Sequence, residues 1–235
     1  MKTSERVREQ LRRTWLFAEL SEAELDTLER IATRRRFERG DVIVHQGDTE
    51  GTDLYCVLKG HLKVTRCDRH GDELLINVLH PGALIGEIAL LDGDPRSATV
   101  TGLDAGEVLA IRRADFFRIL NLSPQVGIGS KLLVTMARRI RHLTERVHEN
   151  SSLAVPTRVA KRLNELADLV GTSIDAQRVI LNIKLSQQEL GDMVQATRES
   201  VNKCLRALER AGIIERTGGR IVILDRQRLR ALIAA

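Results

Sequence analysis

The chain has 235 residues, 43% of them hydrophobic and 29% charged, with a formal net charge of +5. That suffices to bury a core in one large or two small domains, and it excludes a disordered chain. No apolar run approaches the ~18–20 residues of a membrane span. The polar, basic start Met1–Arg13 predicts no secretory leader. Three scattered cysteines, Cys56, Cys67 and Cys204, predict no disulfide framework and fit a reducing cytoplasm.

The charge is unevenly placed. Residues 156–235 carry 14 Lys and Arg against 9 Asp and Glu, whereas residues 1–155 carry 23 of each. A basic segment beside a neutral one suggests a polyanionic partner, nucleic acid first; a solvated basic surface is the alternative.

In chain order, Ser21 and Glu24 predict a capping box that starts a helix with Leu25, Leu28 and Ile31–Ala32 on one face. Ten of the 17 glycines then fall between Gly40 and Gly106. Between them lie short alternating or β-branched runs: Asp41–Gln46, Asp53–Leu58, His61–Arg66, Glu73–Leu79, Ser97–Leu103 and Glu107–Arg112. Such spacing predicts a small barrel or sandwich. Within it, Gly86 permits a tight turn before a short helix whose free N–H groups, near Glu87, Ile88 and Ala89, can face an anion. Arg96 can grip a phosphate with its planar fork and Ser97 adds a hydroxyl. Glu87 suits a ribose hydroxyl. A surface loop with an Arg96–Glu87 salt bridge fits these residues, taken alone, slightly better.

Ala114–Leu120 predicts a short helix and Pro124 opens a longer one. Leu133, Met136, Ile140, Leu143 and Val147 recur at spacings of three and four, flanked by Arg138, Arg139, Arg141, Glu145 and Arg146. The pattern is an a/d seam, suited to pairing with a second copy or to lying on the chain's own barrel. Asn150–Ser152 and Pro156 predict a hinge. Thr157–Val170, Leu185–Val194 and Thr197–Ala211 read as helices, Ile213–Arg216 and Arg220–Leu224 as a hairpin around Gly218-Gly219, and Asp225–Leu232 as a last helix. Helix, tight turn, helix and hairpin make a winged helix-turn-helix. Ser186 with Glu189 caps the first helix of the pair and Thr197 the second. Arg198, Glu199, Asn202, Lys203 and Arg206 then share the outward side. Arg can bridge O6 and N7 of guanine, Glu can accept from N4 of cytosine, and Lys reaches guanine only as a point charge. A solvated face with a Glu199–Lys203 pair is the plainer alternative. Gln195 stands in the turn where glycine is common; a left-handed backbone there would cost it about 1 kcal/mol.

Gly86-Glu87 through Pro95-Arg96-Ser97-Ala98 resembles the phosphate-binding cassette of cyclic-nucleotide-binding domains. Val44–Asp48 and Leu58–Gly60 resemble the β-roll strands before it, and Leu185–Gly191 and Thr197–Lys203 resemble the DNA-reading end of the same regulators. The match spans about residues 18–225 and is similar to the cyclic AMP receptor protein branch of the Crp/Fnr transcription regulators. The implied fold is α+β, with a β-roll over 1–122, a dimerisation helix and hinge over 123–153, and a winged helix-turn-helix over 154–235.

The resemblance implies roles. Glu87 would bond the ribose 2′-hydroxyl. Arg96 would neutralise the cyclic phosphate, helped by Ser97 and the backbone at Gly86, Ala89 and Ala98. Leu143 and Thr144 stand where the best-known member holds the purine with two hydroxyls. Cyclic AMP is the expected effector, with cyclic GMP second and a ligand-independent DNA-binding dimer as a further alternative. Ser186 and Gln188 would touch DNA phosphates, while Arg198, Glu199 and Lys203 would read TGTGA-like half-sites beside Thr197 and Asn202. RNA polymerase would be a partner. Six isolated histidines predict no metal site, and no nucleophile–base set predicts an enzyme.

Overall fold

A computed structural model describes residues 8, 9, 11, 12, 14, 16–18, 20–122 and 128–234. Pro124 and part of Met1–Arg13 lie outside them. The chain divides into two compact units, one holding residues up to 71 with 78–141, the other 72–77 with 142–235.

In the first unit, α1 (Glu22–Ile31) starts at the expected capping box, with Ser21 and Glu24 exchanging side-chain and backbone bonds. Eight strands follow: β1 (Thr33–Phe37), β2 (Val42–Val44), β3 (Leu54–Lys59), β4 (Leu62–Cys67), β5 (Glu73–Leu79), β6 (Leu84–Ile85), β7 (Thr99–Gly102) and β8 (Gly106–Ile111), residues 73–77 of β5 being counted with the second unit. They form two four-stranded sheets, ordered β1-β8-β3-β6 and β2-β7-β4-β5. The two-residue period sorts the core. Leu54, Cys56 and Leu58 of β3, with Leu109 and Ile111 of β8, join Leu25, Leu28 and Phe116 in one cluster. Val57 and Val108, on the opposite faces of the same strands, join Phe37, Ile43, Leu62 and Val100 in another. Between β6 and β7 lies α2 (Glu87–Asp92), and after β8 come α3 (Arg113–Leu122) and the long α4 (Ile128–Ser152).

The strand β1 was not expected from the sequence, since Thr-Arg-Arg-Arg-Phe buries only Phe37. The hinge also needs correction. Asn150–Ser152 are helical, and the Ser151 and Ser152 hydroxyls bond back to the carbonyls of Val147 (3.1 Å) and His148 (2.8 Å), a pattern that loosens a last turn without ending it. The helix breaks at Leu153-Ala154, and Pro156 sits in the first turn of α5 (Val155–Val170), where its missing N–H costs nothing.

In the second unit, α5 buries Val159, Leu163, Leu166 and Val170. It packs against α6 (Gln187–Val194), α7 (Arg198–Arg210) and α8 (Arg226–Ala234). The antiparallel sheet β11-β12-β10-β9 completes the unit, with β9 (Gly171–Ser173), β10 (Val179–Leu181), β11 (Ile214–Thr217) and β12 (Arg220–Ile223). Gly218 and Gly219, both at positive φ (61° and 79°), join β11 to β12 with Thr217 opposite Arg220. That two-residue turn requires left-handed backbone at both positions.

Candidate cyclic-nucleotide cassette and DNA-reading face

The cassette is built around Gly86. Its φ of 84° is left-handed, and a Cβ there would collide with the Arg96 guanidinium. Glycine is therefore required twice over, for the turn that starts α2 and for the space Arg96 fills. Gly93, also left-handed, ends α2 with its N–H on the Ala89 carbonyl (3.1 Å).

Arg96 is only 4% exposed. Its Nη1 donates to the Gly86 carbonyl (3.1 Å) and Nη2 to the Asp53 carbonyl (2.6 Å), while Nε is buried and unpartnered. Burial lowers its pKa, opposed by Tyr55, Asp53 and Asp48. Among the described residues it makes no ion pair. A buried cation bonded only to carbonyls, with Asp48 and Asp53 acting on it without a direct ion pair, has room for an anion at its free Nε.

Glu87 is 5% exposed, and the expected alternative of an Arg96–Glu87 salt bridge is not formed. Glu87 pairs instead with Arg139 of α4. Burial lowers the Arg139 pKa. The sequence places Arg139 on the charged flank of the seam, where its side chain is 48% exposed, and gives no sign of its bond to Glu87 beyond its place one helical turn before Leu143. Ala89 is buried, Ala98 half-buried, and Ile88 and Ser97 are exposed. Leu143 and Thr144 are exposed on α4. Of the seam, Leu133, Ile140 and Val147 are 73%, 64% and 66% exposed, and Met136 is half-buried.

In the second unit, Ser186 and Glu189 form the expected capping box, at 3.1 Å for the Glu189 N–H on the serine hydroxyl. Gln195 adopts the left-handed conformation (φ 48°), the only described non-glycine residue to do so. The glycine of this turn stands four residues earlier: a Cβ on Gly191 would lie 2.6 Å from the Ala196 carbonyl. Thr197 caps α7 by accepting the Ser200 N–H (3.2 Å). Val201, Leu205 and Leu208 are buried, leaving Arg198, Glu199, Lys203 and Arg206 exposed on the other side. Asn202 is partly engaged, accepting from Gln187 (3.3 Å), and Gln188 is held by Asp192 (2.8 Å). Ser186, Gln188, Arg198, Arg216 and Arg220 rim a groove between the helix pair and the β11–β12 hairpin. Arg216 is fixed there by a two-pronged bond to Glu209 (2.9 and 2.6 Å), which lowers the Glu209 pKa.

A glycine turn around a buried arginine in one unit and a capped helix pair with a wing in the other fit a class, the transcription regulators that join a cyclic-nucleotide-binding fold to a DNA-binding one. Family models match accordingly: a cyclic nucleotide-binding domain over residues 34–123 and a Crp-like helix-turn-helix domain over 157–232. The chain is 31% identical over 193 residues to a CRP-like cAMP-activated global transcriptional regulator of Mycobacterium tuberculosis, covering 82% of this chain and 84% of that one. It is 31% identical over 189 residues to the cAMP-activated global transcriptional regulator CRP of Escherichia coli, covering 80% and 88%. Among solved structures, the Thermus thermophilus catabolite activator protein aligns over 94% of this chain and 98% of its own, with 27% identity and a TM-score of 0.52. The chain belongs to the Crp family of transcription regulators. Its relatives are regulators, and it is not an enzyme. No described helix is long and apolar enough to cross a membrane, and no described cluster of His, Cys, Asp and Glu could hold a metal ion.

Proposed function

We propose that the protein is a cytoplasmic homodimer whose DNA affinity is set by cyclic AMP. The observation that carries this reading is Arg96, a buried guanidinium with a free Nε and no direct ion pair among the described residues, beside a turn that only glycine can make. A cyclic phosphodiester supplies one delocalised negative charge to that fork. Backbone N–H groups at Ala89 and Ala98 and the Ser97 hydroxyl complete the cradle in this account. Glu87, partnered by Arg139, accepts from the ribose 2′-hydroxyl.

Thr144 offers the purine a hydroxyl, whereas Leu143 offers none, so base selectivity rests on one polar group and cyclic GMP is the closest competitor. The names of the relatives in M. tuberculosis and E. coli support cyclic AMP. Pairing of two copies through Leu133, Met136, Ile140, Leu143 and Val147 would cover the apolar side chains that α4 leaves exposed. Two copies of α7 then address TGTGA-like half-sites about one helical turn, ~34 Å, apart. Arg198, Glu199 and Lys203 read base edges, supported by Asn202, and Ser186, Gln188 and Thr197 hold the backbone. RNA polymerase is the proposed protein partner at the promoter.

Ligand can bias such a dimer only by binding one of its arrangements better than the other. The test is calorimetric titration with cyclic AMP and cyclic GMP, repeated with a two-fold duplex present. Tighter cyclic AMP binding in the presence of the duplex is expected. Equal affinities with and without DNA would overturn the linkage.

A further inference from the structure

Arg146 spends its charge on backbone. Its Nη1 donates to the Ile76 carbonyl (3.2 Å) and its Nη2 to the Met193 carbonyl (3.1 Å). No ion pair is formed by Arg146 among the described residues. Burial lowers its pKa, and Arg162 adds to this as a like charge, while Glu165 and Glu149 oppose it. A side chain of this kind is expensive to bury, so its placement needs a return.

The return is found at the end of α6. The carbonyls of a last helical turn lack partners within the helix and carry the negative end of its dipole. Met193 is one of these, two residues before Gln195, whose left-handed backbone joins α6 to α7. That strained turn is held by the Gln195 N–H on the Asp192 carbonyl (3.3 Å) and the Ala196 N–H on the Gly191 carbonyl (3.0 Å). The Asp192 carboxylate in turn accepts from the Leu75 N–H (3.3 Å) and from Gln188 (2.8 Å). Arg146 thus joins the end of α4, immediately before seam residue Val147, to the turn that aims α7.

We infer that Arg146 is a positioning residue for DNA reading. Its two-carbonyl grip fixes the α6–α7 turn to the long helix, so that the setting of α4 determines how α7 meets the base edges. The inference rests on the proposed DNA-reading function. A lysine, with a point charge and no fork, can serve only one of the two carbonyls well.

The test compares the full-length wild type with Arg146→Met, which keeps an apolar stem, and Arg146→Lys. Hydrogen exchange at the Gln195 and Ala196 amides is read without DNA or nucleotide. Affinities for a TGTGA-bearing two-fold duplex and for a scrambled duplex are read at saturating cyclic AMP, and cyclic AMP affinity is read alone. In Arg146→Met, exchange at both amides should rise at least tenfold and the specific-to-scrambled ratio should fall at least tenfold. Cyclic AMP affinity should stay within twofold, and Arg146→Lys should recover part of both losses. Wild-type exchange in Arg146→Met, or equal loss on both duplexes, would overturn the inference. A wild type that does not prefer the TGTGA duplex would instead defeat the proposed function, and the exchange measurement would still decide whether Arg146 holds the turn.

Discussion

In the proposed function the cassette and the DNA-reading face both present arginine to a phosphate-bearing partner, yet they are built in opposite ways. At the cassette the charges are buried, with Arg96 4% and Glu87 5% exposed, and positive-φ glycines shape the backbone around them. On α7 the charges are exposed, and only the cap and the apolar stripe beneath are fixed. Desolvated, prearranged groups suit one small ligand recognised on all sides. Solvated side chains on a rigid helix suit a long polyanion that brings its own counterions.

Salt should separate the two regions most. Raising salt from 50 to 200 mM should weaken duplex binding by about 10³-fold or more, because each phosphate contact releases condensed counterions. Cyclic AMP affinity should change less than about threefold, since one shielded charge is involved. Parallel titrations check this, and a comparable decline in both would abolish the contrast.

Next in size is Arg96→Ala, expected to lower cyclic AMP affinity about 100-fold by leaving a phosphodiester without its charge-assisted bonds. Arg96→Lys should not restore it, because one ammonium cannot meet the Gly86 and Asp53 carbonyls as the fork does. Wild-type affinity in Arg96→Ala would end the assignment of the cassette. Arg198→Ala should cost about 1–3 kcal/mol on the specific duplex and relax the preference at one base pair, with little change on scrambled DNA. Selection of binding sequences from a randomised duplex reads that preference directly. The smallest effect is expected from Gln195→Gly, which removes left-handed strain and should raise stability by roughly 0.5–1 kcal/mol. Thermal unfolding measures it; a lower melting temperature would mean that the glutamine side chain supports the turn.

Features with local causes were the ones legible beforehand. Ser21 with Glu24 and Ser186 with Glu189 announce helix starts because both partners of each box lie within one turn. Gly218-Gly219 announces a hairpin because few other dipeptides fit it. The strand β1 was hidden because it lies at a sheet edge, pairs only with β8 and leaves Arg34, Arg35 and Arg36 exposed, so no alternation betrays it. Residues 150–152 resemble a hinge by composition, whereas the helix runs through them and breaks just beyond, at Leu153-Ala154. Arg139 was hidden for another reason. Its partner Glu87 is 52 residues away, and periodicity marks apolar burial but says nothing of a cation recruited by a distant carboxylate.

The Glu87–Arg139 pair has a consequence for the dose at which such a sensor answers. In the proposed account a hydroxyl arriving at Glu87 shares the carboxylate with Arg139, whose bond goes to Oε1 and leaves acceptor sites for a second donor. The guanidinium keeps the carboxylate ionised and oriented, so the strength of the pair feeds into the affinity. Substitutions at position 139 would therefore move the half-maximal concentration without rebuilding the pocket, offering a simple route by which related sensors could be tuned to cells with different resting levels of messenger.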